Sequence, residues 1–273
     1  MPLLSLKNAE KEELVELFMQ LKAKGERYPQ ARAEIMAALR CLKAVHSNAI
    51  EDKSVDRIFL QLLLHGAGVP DKAQISPLYR KASEALRGHD RMLQDLEDAA
   101  EAQEPLSLSL LLTMHRTVFE TSWPEVAGRL RQEEVSIART SHQPPHSAQV
   151  AMLLHQGFAT INEEMERLGA VTAGNFFEVL HLAARTHYLV AHVHPFRDGN
   201  GRISRALSDY VMLRKGMFYD VIMTDYREAY LDALEDCDLV DWSALSGFLI
   251  YSYWETLRRV APFFSLVEKS PPS

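Results

Sequence analysis

Twelve residues, His194 to Arg205 (HPFRDGNGRISR), carry a dense set of groups able to do chemistry. His194 can accept a proton near neutral pH. Asp198 is a carboxylate that could bind a hard cation. Gly199, Asn200 and Gly201 follow, and the two glycines let backbone approach a ligand closely. Arg202 and Arg205, three apart, share one face of the helix expected to follow. Free N–H groups at a helix start beside two guanidinium groups form a site for phosphates.

Each residue also has a plainer role. His194 precedes Pro195, which disfavours helix at the residue before it, so it could simply close a helix. Asp198 could start the next helix, where acidic groups are favoured. Arg205 could pair with Asp209 at i+4. The conjunction within twelve residues is what favours a metal–polyphosphate site; Phe196 reads as a core anchor that fixes the loop. Zinc is disfavoured although His181, His187, His192 and His194 lie close in sequence. These four form no i, i+4 pair, and His181 and His192 share a face about three turns apart.

These groups must be positioned by helices. Periodicity predicts helices over 8–24, 30–47, 54–65, 77–101, 107–120, 147–168, 175–192, 225–237 and 241–260. Asn175 is the expected N-cap of a central helix that is apolar nearly all round. Beyond the loop, Ile203, Ala206, Leu207, Tyr210 and Val211 form the stripe that ties the next helix to the core. Residues 123–147 differ: Val135, Ile137 and Arg139 alternate with smaller or polar residues, then Pro144 and Pro145 follow. That pattern predicts a short exposed β-hairpin in an otherwise all-α protein.

The chain has 273 residues and a formal net charge of −7, with 47% hydrophobic and 25% charged residues. Such a composition is that of an ordinary globular protein and does not favour nucleic acid as a partner. Two cysteines, Cys41 and Cys237, make no disulfide framework. The N-terminus does not read as a secretory signal, and the most apolar stretch, 176–193, is too polar for a membrane span. A cytoplasmic protein is expected.

HPFRDGNGRISR resembles the signature of the Fic family, H-P-F-x-D/E-G-N-G-R-x-x-R, at every fixed position. The stretch around Ile137, Ala138, Arg139 and Thr140, ending in HQPPH, is similar to that family's flap, and REAYLDALEDCD resembles a following segment. The resemblance covers roughly residues 40–260. It implies a mainly helical Fic fold with a small β-hairpin flap, and Mg²⁺-dependent transfer of AMP from ATP to a Ser, Thr or Tyr of a target protein. In that scheme His194 is the general base and Asp198 holds Mg²⁺. Gly199, Asn200 and Gly201 form the anion hole, and Arg202 and Arg205 hold the β- and γ-phosphates. Tyr230 lies near the adenine, and the flap docks the target by strand addition.

The stretch SNAIED resembles the inhibitory motif S/T-x-x-x-E-G/N, with Ser47 and Glu51 matching and Asp52 departing. The resemblance implies that Glu51 competes with phosphate for Arg205. Asp238 departs from an Asn often found near the nucleotide. Alternatives within the same site are removal of AMP, transfer of another nucleotide, and a nucleotide-binding regulator without catalysis. The expected organisation is an N-terminal helical region over 1–66 carrying the inhibitory motif, a core over 67–265 and a frayed tail over 266–273. No C-terminal winged-helix domain is expected in this sequence. Members of this class often form homodimers, and no interface is legible here.

Overall fold

A computed structural model of the chain describes residues 5–52, 77–137, 140, 142–238 and 240–269. Its helices are α1 (Asn8–Arg27), α2 (Pro29–Glu51), α3 (Pro77–Glu101), α4 (Leu108–Phe119), α5 (Val150–Leu168), α6 (Phe176–Val193), α7 (Asn200–Arg214), α8 (Arg227–Glu235) and α9 (Ser243–Lys269). Short 3₁₀ turns, Ser147–Gln149 and Thr224–Tyr226, lead into α5 and α8. No described helix is long and apolar enough to cross a membrane.

The axis of the fold is the α6–α7 pair, joined by residues 194–199. Helix α6 buries Val179, Leu180, Leu182, Ala183, Ala184, Val190 and Val193 at positions all round its circumference. It packs against α5, α7 and α9, and only a narrow outward stripe carries polar groups, Glu178, His181 and Arg185. The expected stripe on α7 is buried throughout, and Arg202, Arg205 and Asp209 are buried with it.

Helix α2 begins with Pro29 at its first position, where a missing N–H costs nothing. It then crosses α7 antiparallel in a fixed register. Lys43 Nζ meets Asp209 Oδ2 at 2.7 Å. One turn on, Arg205 Nε donates to Ser47 Oγ at 2.9 Å. A further turn on, Arg205 Nη2 meets Glu51 Oε1 at 2.6 Å. Steps of four along α2 place all three groups on one stripe facing α7.

Several expectations need correction. The helix expected over 30–47 continues to Glu51, so the inhibitory stretch forms the last turn of α2. Asn175 occupies the N-cap position of α6 without capping it. Its Oδ1 accepts from Thr172 N, and its Nδ2 donates to Leu168 O and Ala170 O, so it staples the turn between α5 and α6. Helix α9 runs to Lys269, through Pro262, because Phe264 is buried edge-on against Phe218.

The β-hairpin is not found: no strand occurs among the described residues. Residues 134–137 have no regular secondary structure, and Ala138 and Arg139 lie outside the described residues. The recorded backbone bonds lie on its flanks. Arg131 N donates to Pro195 O, and the Arg131 guanidinium donates to Glu133 O and Pro145 O. Pro144 and Pro145 offer no N–H to a ladder. The helix expected over 54–65 and the boundary expected at 66–67 also lie outside the described residues.

Candidate active site

Loop 194–199 is held by its carbonyls. Arg131 donates Nε to His194 O at 2.8 Å and Nη2 to Val193 O at 3.4 Å, while its backbone N–H takes Pro195 O at 2.9 Å. Asn200 Nδ2 takes Phe196 O at 2.7 Å, and its Oδ1 accepts from Phe196 N at 2.8 Å. His115 takes Asp198 O through Nε2 at 3.0 Å. Its Nδ1 accepts from Gly128 N at 3.0 Å, which fixes the neutral tautomer with the proton on Nε2. The His115 ring lies 3.8 Å from Phe196, nearly parallel, and Phe196 is fully buried as the core anchor.

With those carbonyls occupied, the first turn of α7 begins at Asn200 with N–H groups that have no partner inside the helix. Gly199 reaches that turn with φ +84°, and a Cβ there would sit 2.4 Å from the Phe119 ring. Only glycine fits the position. Asp198 stands 47% exposed beside this turn, and both Gly199 N and Arg202 Nη2 contact its Oδ1. A solvent-facing carboxylate next to a phosphate cradle is a donor that fits Mg²⁺, which binds through one or two carboxylates plus substrate phosphates.

Arg202 and Arg205 point to one side of α7, as their spacing predicts. Arg202 lies over the Phe119 ring with its guanidinium carbon 4.6 Å from the centroid, and its Nε is buried without a partner. Arg205 is 1% exposed and fully engaged. Beyond Ser47 Oγ and Glu51, its Nη2 donates to Ser47 O at 3.0 Å and its Nη1 to Tyr230 at 3.4 Å. Asp209, the plainer partner for Arg205, is instead paired with Lys43. Burial raises the Glu51 carboxyl, but Arg205, with help from Arg202 and Arg227, outweighs it and holds Glu51 below its ordinary range. Gly201 permits the approach, since a Cβ there would lie 2.3 Å from Glu51 Oε1.

His194 closes α6 in the left-handed region, φ 50° and ψ 58°. It is therefore both the helix terminator and a presented imidazole. Its Nδ1 faces Ala191 O at 3.4 Å, which assigns the proton to Nδ1 and leaves Nε2 as the basic nitrogen. Burial lowers the pKa of His194, the Ala191 carbonyl opposes that, and Arg131 lowers it further. The ring is thus neutral at pH 7.

Other expected residues fall less simply. The Asn200 side chain is committed to Phe196, so it shapes the loop from within. Tyr230 is 1% exposed and bonded to His187 Nε2 and Arg205, beneath the guanidinium and away from open surface. Ile137 is half-buried, and Thr140 Oγ1 accepts from His142 N, whose ring in turn bonds His192 O. Asp238 closes a turn by accepting from Val240 N and Asp241 N. Sequence reasoning missed Arg131, His115, Lys43 and Asn48, which receives a bond from Arg202 at 3.4 Å. Each lies far from the motif in the chain, and an isolated Arg, His or Lys has no periodicity to mark it. A polar residue on the apolar stripe of α2 was the one available signal, and Lys43 carries it.

Residues 105–212 match the Fic/DOC family. A protein adenylyltransferase Fic of Aedes aegypti is 30% identical over 130 residues, 48% of this chain and 24% of that protein. The Drosophila erecta protein of the same name is 25% identical over 222 residues, 76% of this chain and 43% of that protein. The chain thus spans less than half the length of these relatives. A Fic-domain signaling protein of Bacteroides thetaiotaomicron has the same fold, with TM-score 0.76 and 21% identity over 94% of this chain and 100% of that one. Fic-1 of C. elegans, residues 134–508, gives TM-score 0.71 and 22% identity over 96% of this chain and 74% of that one.

Proposed function

We propose that the chain, whose residues 105–212 match the Fic/DOC family, is a protein adenylyltransferase restrained by its own Glu51. It takes AMP from ATP and joins it to a Ser, Thr or Tyr hydroxyl of a target protein. The observation that carries this reading is the Glu51–Arg205 pair at 2.6 Å, set beside a helix N-terminus, two arginines and a neutral histidine. Curated relatives bearing the adenylyltransferase name support the same activity.

In this reading His194 Nε2 takes the proton of the target hydroxyl. The hydroxyl oxygen bonds to the α-phosphorus while the bond from that phosphorus to the bridging oxygen breaks, releasing pyrophosphate. The N–H groups of the first turn of α7 hold phosphate oxygens, and Arg202 and Arg205 hold the leaving phosphates. Asp198 would hold Mg²⁺, which supplies neutralising charge to the phosphates when bound. Segment 137–140 docks the target, and the protein works in the cytoplasm, with a homodimer as its assembly. Restraint is direct: Glu51 and Ser47 occupy the edge of Arg205 that a phosphate would need.

The test is transfer of label from α-labelled ATP with Mg²⁺ to protein, for wild type, Glu51→Gly and Glu51→Gly/His194→Ala. Label in the second alone supports base, inhibitor and AMP transfer together. Equal labelling in wild type and Glu51→Gly removes the restraint. Absence of label from all three removes AMP transfer, and the assay is then repeated with GTP, CTP and UTP. A second reading, removal of AMP from a modified target, is favoured by the exposed part of the Glu51 carboxylate, which lies near enough to bias His194 and can orient a water. Release of AMP from a pre-modified target decides it.

A further inference from the structure

One buried arginine joins the base to the segment beside it. The Arg131 side chain has no exposure, and five hydrogen bonds leave the residue. On one side it takes three successive carbonyls, Val193, His194 and Pro195. On the other it takes Glu133 and Pro145, which flank segment 137–140 at either end. Glu134 adds an exposed ion pair at 3.7 Å.

His194 needs such a hold. A left-handed conformation is strained for a non-glycine residue and persists only where the surroundings over-determine it. Its N–H continues the helix to Val190 O, so its direction there is set by α6. The carbonyl side of His194 is where the chain leaves the helix, and Arg131 holds that carbonyl together with those before and after it. A planar guanidinium presents donors in a fixed fork; an ammonium is a single point with rotatable donors.

We propose that Arg131 is the positioning residue for His194, fixing the left-handed turn that presents the ring and tying it to the carbonyls of Glu133 and Pro145. The proposal rests on the reading of His194 as the base. The charged and titratable groups that face His194 are Arg131 before the segment, His142 after it and Glu51 at the end of α2. Arg131 and His142 disfavour the imidazolium and Glu51 favours it. Arg131 therefore acts twice, through geometry and through charge.

Two substitutions separate these effects, both made in Glu51→Gly so that the parent is released. Arg131→Lys keeps the charge and loses the fork; Arg131→Gln loses both. Both should lower kcat by about 100-fold, the scale of an ångström of misplacement, while the KM for ATP stays that of the parent. The acid limb of the pH–rate profile should move to higher pH in Arg131→Gln and stay in place in Arg131→Lys. In parallel, NMR titration of the ¹⁵N-labelled His194 ring reads its environment and pKa without any activity. Should the Gln variant fail to fold, the Lys variant carries the test. A parent that labels no protein overturns the proposed function but leaves the NMR comparison intact. Ring shifts and pKa equal to the parent in both variants, or a kcat loss that only follows the folded fraction, overturn the role of Arg131.

Discussion

Replacing Lys43 by Met tests the register that brings Glu51 to Arg205. Lys43 and Asp209 meet at 2.7 Å with side chains 3% and 0% exposed. Lys43 Nζ also donates to Asp220 O at 2.7 Å, and Asp209 Oδ1 accepts from Asp220 N at 3.0 Å. Burial pushes the Asp209 carboxyl upward, and Lys43 offsets part of that. Removing one partner strands a buried charge, at a cost of about 3–5 kcal/mol. At about 2–4 °C per kcal/mol for a chain of this size, Tm should fall by about 6–20 °C. Asp209→Asn, which keeps an acceptor for Asp220 N, should fall by a similar amount. The double variant Lys43→Met/Asp209→Asn strands neither charge of the pair and should lie only about 1–3 kcal/mol below wild type, the cost of one buried unpaired amide. The assay is a thermal melt of all four proteins at pH 7. A Lys43→Met melt coincident with wild type, or a double variant equal to the sum of the singles, would refute the reasoning that this rung is a coupled buried pair.

Further outcomes follow from single contacts. Gly201→Ala places a methyl on the Glu51 carboxylate, so the Glu51–Arg205 pair should open, seen by NMR as a rise of the Glu51 carboxyl toward its ordinary pKa. Asn200→Ala strips both backbone groups of Phe196 of their partner and should cost about 1–3 kcal/mol in a denaturant titration. Phe196→Ala should cost about 3–5 kcal/mol by the same measurement, since the ring is fully buried against His115. His115 is depressed to about 4, first by burial, with the Asp198 carbonyl opposing. Its contribution to stability is present above the unfolded value near 6.5 and is lost as pH falls through the folded value near 4. NMR titration of the ring should therefore show no protonation at pH 6, and unfolding free energy should decline between these limits.

Helix positions were legible because burial on α1 and α5 repeats at the helical period, and that period is local. The motif was legible for the same reason: His194, Asp198, Arg202 and Arg205 are neighbours in the chain, and one turn of helix suffices to bring them together. Ser47 and Glu51 were found by their resemblance to an inhibitory motif, although their distance from Arg205 in the chain says nothing about contact. Tertiary structure alone decided that α2 runs antiparallel to α7 with Lys43, Ser47 and Glu51 in step with Asp209, Arg205 and Gly201. It also decided that Asn200 serves Phe196, that Tyr230 lies under Arg205, and that Arg131 and His115 hold the loop. The period-two pattern at 135–139 foretold a hairpin that the described residues lack; on its flanks, the Glu133 and Pro145 carbonyls accept from Arg131 rather than from a partner strand. Local order follows from the spacing of side chains along the chain. Which distant charge meets which is settled only when packing removes water and each buried polar group must find a partner.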